Sequence, residues 1–124
     1  MSNWTHIVGS LYIETNKMKK NIKEYVIQEL DNAPKITGSE RNADIFINEL
    51  SGSNVWCDNK EYQTCVCISI IGDLRDRSLG QTEEEYVEFI DFIRERFMIR
   101  DSSIKIYEEW SGTSKQFNTG WFNE

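Results

Sequence analysis

The chain is short of cysteine, histidine, proline and positive charge, and it has no long apolar run. Each shortage excludes something. Three cysteines in 124 residues, Cys57, Cys65 and Cys67, are too few and odd in number for a disulfide scaffold. A domain of this length buries roughly two thirds of its unfolded surface and folds without such staples. The expected compartment is a reducing cytosol. No apolar run approaches 18 residues, so no membrane-spanning helix is expected. Met1-Ser2-Asn3-Trp4 enters a strand-like pattern at once, so no targeting segment is expected.

Basic residues number 14 against 21 acidic ones, a net charge of −7. That argues against a direct grip on nucleic-acid phosphates, which needs clustered Lys and Arg, and against an anionic membrane. It permits a basic protein partner. The single histidine, His6, limits imidazole chemistry to one position.

What is present describes an α+β domain. Trp4–Ile13 is rich in β-branched and aromatic residues and reads as a strand. Thr15-Asn16 offers capping side chains, and Met18, Ile22, Tyr25, Val26 and Leu30 recur at helical spacing. Pro34 stops that helix. Lys35–Asn42 is a polar loop, Ala43–Ile47 a second strand, and Ser51-Gly52-Ser53-Asn54 a turn. Thr64–Ile71 is the strongest strand. Thr82 and Glu85 have capping-box spacing ahead of the apolar stripe Tyr86, Phe89, Ile90, Ile93 and Phe97. Ser103–Tyr107 closes the series. Ile7-Val8-Gly9-Ser10-Leu11 also matches Ile70-Ile71-Gly72-Asp73-Leu74, once in each half. The expected fold is a ferredoxin-like split β-α-β (βαββαβ), with a four-stranded antiparallel sheet and both helices on one face. Residues 1–110 would form the domain, and 111–124 an aromatic tail that packs on the sheet or on a partner.

Alternation assigns Ile7, Leu11, Ile13, Val66, Ile68, Ile70 and Leu74 to the helix side. The opposite face carries Trp4, His6, Val8, Tyr12, Cys65, Cys67, Ser69 and Ile71, with Phe46 nearby. Such an apolar face tends to be covered. A second copy, the tail, or a ligand with flat rings are the three covers. The third strand lacks the basic-aromatic signature of RNA-recognition domains. Trp4, His6, Tyr12 and Phe46 are therefore read as an interface, and the chain as a homodimer.

Four constellations bear on chemistry. Cys57, Cys65, Cys67 and His6 have ligand types that suit zinc, but Cys-x-Cys within a straight strand is not zinc-knuckle spacing, so no metal or cofactor is expected. His6 beside a strand cysteine would mimic a base–nucleophile pair, but no flanking motif supports it, so the chain is not read as an enzyme. Arg75 and Arg77 precede a helix start and would suit an anion such as a small nucleotide, with Thr37-Gly38-Ser39-Glu40-Arg41 contributing. Glu84, Glu88, Asp91 and Glu95 fall in one stripe opposite the apolar face of the second helix. Carboxylates one turn apart lie about 5–6 Å from each other, comparable with the phosphate spacing of a nucleic-acid strand. They are read as a partner-binding surface.

A small, acidic domain of this pattern resembles the accessory proteins of phages and mobile elements, among them anti-CRISPR and other anti-defence proteins. The resemblance rests on size, charge and fold pattern and carries over no site residue. It implies an inhibitor that occludes a basic, nucleic-acid-binding host defence protein, such as a CRISPR effector, without contacting nucleic acid itself. The alternative is a small-ligand or nucleotide-binding module with its ligand at a dimer interface.

Overall fold

The computed structural model describes residues 2–19, 21–49, 54–57 and 60–118, and the side chains of all of these except 16–19, 54–57 and 60–64. The elements run β1 (Trp4–Lys19), α1 (Ile22–Glu29), a 3-10 turn (Leu30–Asn32), β2 (Asp44–Glu49), β3 (Asn54–Cys57), β4 (Lys60–Arg75), α2 (Leu79–Arg96), β5 (Met98–Glu108) and β6 (Ser114–Phe117). Five strands lie in the order β2-β4-β1-β5-β6, and β3 pairs with the beginning of β4. Every pairing is antiparallel. The class is α+β, as expected. The expected four-stranded ferredoxin-like sheet is not matched exactly, because β3 and β6 join the strands that the sequence pattern marks.

Element boundaries also differ, each for a physical reason. β1 runs on to Lys19, which pairs with Gln63, so Met18 lies in the strand and not in the helix. The cap of α1 is Asn21, whose side chain accepts from the Glu24 amide at 3.2 Å. Thr15 is buried within the strand rather than capping. The box that opens α2 is Ser78 with Gln81: Ser78 Oγ accepts from the Gln81 amide at 3.2 Å, and Gln81 Oε1 accepts from the Ser78 amide at 2.9 Å. Thr82 is buried one turn inside the helix. β4 extends to Arg75 because its last residues pair with Trp4 and Thr5. The turn Ser51–Ser53 lies outside the described residues.

Both helices pack on one face. Ile22 and Val26 of α1, and Phe89, Ile90 and Ile93 of α2, share one buried cluster with Ile7, Leu11, Ile13, Val66, Ile68, Ile70 and Leu74. These are the seven strand residues that alternation placed there. Truncating one such fully buried isoleucine to alanine costs about 2–5 kcal/mol.

The first three residues of each repeated pentapeptide pair with those of the other across the two central strands. Ile7 stands opposite Gly72, Val8 opposite Ile71 and Gly9 opposite Ile70. Each glycine admits a close neighbour. A Cβ on Gly9 would lie 2.1 Å from the Ser103 carbonyl oxygen, and one on Gly72 would lie 2.8 Å from the Ala43 Cα. A polar knot fixes the end of this sheet. Asn3 Nδ2 donates to the Arg77 carbonyl at 3.0 Å and to Glu108 at 2.8 Å, and Thr5 Oγ1 donates to the same carbonyl at 2.7 Å.

Candidate functional site

Among the described residues, nothing covers the central strands on the face of the sheet away from the helices. Register builds it in rows. Asp44, Ile71, Val8 and Lys105 form one row across β2, β4, β1 and β5. Phe46, Ser69, Ser10 and Ser103 form the next. Val8, Ile71 and Phe46 are 51%, 50% and 52% exposed, an apolar patch without a cover among the described residues. Trp4, His6 and Tyr12 share this face and are half-buried. The predicted interface residues therefore fall on one surface.

His6 closes one end of that face. Its Nδ1 lies 2.5 Å from Asp73 and its Nε2 lies 3.2 Å from Glu109, while its ring stacks on Tyr107 at 6.2 Å. Both nitrogens can donate only in the imidazolium. Burial alone would lower the His6 pKa, but the two carboxylates outweigh it and hold the value above the ordinary 6.5. The ring bridges Asp73 of β4 and Glu109, the residue just after β5.

The zinc and nucleophile constellations are taken apart by register. His6 pairs with Asp73, whereas Cys67 pairs with Tyr12 and Cys65 with Glu14. Six residues of strand put His6 about 20 Å from Cys67. Cys65 is buried and shares a hydrogen bond with the Tyr12 hydroxyl, which raises the Tyr12 pKa above its usual value. The Cys57 side chain lies outside the described ones. Among the described residues, no three His, Cys, Asp or Glu side chains gather into a metal-sized cluster.

Arg75 and Arg77 are also separated. Arg75 lies on the open face, paired with Glu40 and donating to Ser2 Oγ at 2.9 Å. Arg77 donates to its neighbour's carbonyl, Asp76, at 3.1 Å and lies 3.4 Å from Thr37 Oγ1, whose hydroxyl donates to Glu85. The start of α2 is already engaged. The Leu79 amide donates to Glu108 at 3.0 Å, and this hydrogen bond, with that from Asn3, lowers the Glu108 pKa. What does form is a cleft of about 420 Å³ lined by Trp4, Glu40, Arg41, Ile71, Asp73 and Arg75, among others. The loop carrying Glu40 and Arg41 is fixed there by Ser39 N donating to the Arg75 carbonyl at 3.0 Å and Gly38 N to the Arg41 carbonyl at 3.0 Å.

Glu84, Glu88, Asp91 and Glu95 are all exposed on the outer side of α2. The stripe has two different halves. Asp91 has Arg94 at 3.7 Å, and Glu95 has Arg96 at 3.5 Å, itself 3.7 Å from Glu29. Glu84 and Glu88 have no cation among the described residues, and the exposed Val87 lies beside them in a shallow depression with Gly80 and Glu83. Glu83 is turned aside to Lys115 at 2.6 Å.

The tail takes a role that the sequence did not signal. Ser114–Phe117 pairs with β5, and Phe117 turns to the helix side, 5.2 Å from the Tyr86 ring. This part of the tail widens the sheet and leaves its open face bare. Trp121 and Phe122 lie outside the described residues. Asp44, Lys105 and Glu109 were also missed as surface residues, because only cross-strand register brings them to this face.

No family model matches the chain, and no curated protein or solved structure matches it significantly. Among the described residues, no helix is long and apolar enough to cross a membrane.

Proposed function

We propose that this chain is a non-enzymatic binding protein that occludes a basic, nucleic-acid-binding protein. The observation that carries the reading is the bare half of the α2 stripe. Glu84 and Glu88 stand exposed, one turn apart, without a cation among the described residues and with apolar Val87 between them. Like charges at this spacing cost helix stability, so the arrangement is favoured by a partner that neutralises it. A basic groove that normally holds phosphates offers such neutralisation. The small size and net acidity resemble those of phage anti-defence proteins. On that reading the chain acts in the host cytosol, on an effector of the CRISPR type.

The test is competition. Titrating the chain into purified CRISPR effectors should displace their nucleic acid in proportion to complex formation. Failure to displace it from any member of a broad panel would contradict the reading.

A second reading rests on the cleft beside Trp4. Arg41 is exposed there with no ion pair among the described residues, next to an indole and to Ile71. An aromatic ring and a free guanidinium suit a small ring-bearing anion such as a nucleotide. Thermal stabilisation by nucleotides that disappears in Arg41→Ala would support it. No stabilisation at high nucleotide concentration would remove it.

A further inference from the structure

We propose that the open sheet face is a self-complementary interface that binds a second copy of this chain about a two-fold axis lying along the strands between β1 and β4. The row at its centre reads acid, apolar, apolar, base: Asp44, Ile71, Val8, Lys105. A half-turn about that axis carries β2 over the partner's β5 and β4 over the partner's β1. Asp44 then meets the partner's Lys105, and Ile71 meets the partner's Val8. The next row agrees in shape. The exposed ring of Phe46 arrives over the partner's Ser103, a small side chain that leaves it room, and Ser69 arrives over the partner's Ser10.

Asp44 and Lys105 have no use for each other within one chain. Neither side chain has a hydrogen-bond or ion-pair partner among the described residues. They are separated by three strand spacings, about 14 Å, beyond the roughly 8 Å over which exposed charges act in physiological salt. Stacked sheets cross at about 30°, which displaces residues some 7 Å from the axis by about 4 Å. A lysine side chain spans that offset. The dimer would hold two such charge pairs, one at each side of the axis, and cover the half-exposed Val8, Ile71 and Phe46. With five rows on β1 and β4, four on β5 and three on β2, the face is on the order of 550 Å² in projection before side-chain relief, somewhat below the roughly 800 Å² per partner of a standard interface. The helices lie on the far side of each sheet, so the dimer presents two α2 stripes on opposite surfaces. The inference is independent of what those stripes bind.

Sedimentation equilibrium over a wide concentration range tests it, with circular dichroism confirming that each variant folds. The wild type should dimerise. Lys105→Glu and Asp44→Lys, each alone, create two like-charge contacts and should each weaken dimerisation by about tenfold or more. The double variant D44K/K105E restores both pairs with reversed sign and should return within about threefold of wild type. A wild type that stays monomeric, single reversals without effect, or a double variant no better than the singles would each overturn the proposal. A monomer would leave the face to the tail or to a different partner.

Discussion

Gly9 and Ser103 approach so closely that a Cβ at position 9 would stand 2.1 Å from the Ser103 carbonyl oxygen. The central strand pair and β5 are therefore built around a missing side chain. Gly9→Ala forces the backbones apart and should cost at least about 2 kcal/mol. Gly80 is the internal contrast, since it lies in the first turn of α2 with nothing within 4 Å of its Cβ position. Gly80→Ala should stabilise by about 0.5–1 kcal/mol. Urea unfolding of both variants separates the two cases. Equal effects would contradict the close approach.

Tyr86 is buried, and its hydroxyl has no hydrogen-bond partner among the described residues. Burial pushes its pKa up to about 12. An unsatisfied buried hydroxyl costs about 1–3 kcal/mol, so Tyr86→Phe should be neutral or stabilise by about 1 kcal/mol. Tyr86→Ala removes the packing on Phe117 as well and should cost about 3–5 kcal/mol. Denaturant midpoints at constant m-value decide it. A loss of more than about 1 kcal/mol in Tyr86→Phe would mean that the hydroxyl has a partner.

The His6 bridge should make stability depend on pH near neutrality. Its folded pKa lies above the unfolded value of 6.5, so the folded chain holds the proton more tightly. The resulting stabilisation is fully present below pH 6.5 and is lost as pH rises through the folded pKa. Asp73→Asn and Glu109→Gln each remove a carboxylate and should lower the His6 pKa. An NMR titration of the ring protons reads this directly. A wild-type value at or below 6.5 would contradict the bridge.

The helix-side face of the sheet was legible in the sequence because burial imposes a period of two on β1 and β4. Ile7, Leu11, Ile13 and Val66 show it without ambiguity. The caps were less legible, since Ser78-x-x-Gln81 and Thr82-x-x-Glu85 satisfy the same spacing rule. What separates them is Glu108, which engages the Leu79 amide from 29 residues away. The far end of β1 was hidden for a related reason: its pairing with β4, not its own composition, keeps it extended. β6 has no β-branched residue and forms because the edge of β5 offers unpaired backbone groups. The candidate site shared this limit. The acidic stripe follows from helical period alone, whereas its division into paired and bare halves depends on where Arg94, Arg96 and Lys115 come to rest.

That division gives capping and charge distinct tests on the same helix. Ser78→Ala removes the side-chain acceptor for the Gln81 amide and should cost about 1 kcal/mol. Thr82→Ala removes a buried hydroxyl with no partner among the described residues and should cost less than Ser78→Ala. Thermal melts of the pair check the order. The reverse order would move the cap back to Thr82.

The most direct measurement is the affinity of the chain for a purified CRISPR effector that it displaces from nucleic acid, compared among wild type, E84K/E88K and E95K. Reversing the two bare carboxylates should weaken binding by at least about tenfold, or about 1.4 kcal/mol. Reversing Glu95, already beside Arg96, should change it much less. Equal affinities for wild type and E84K/E88K would contradict the account.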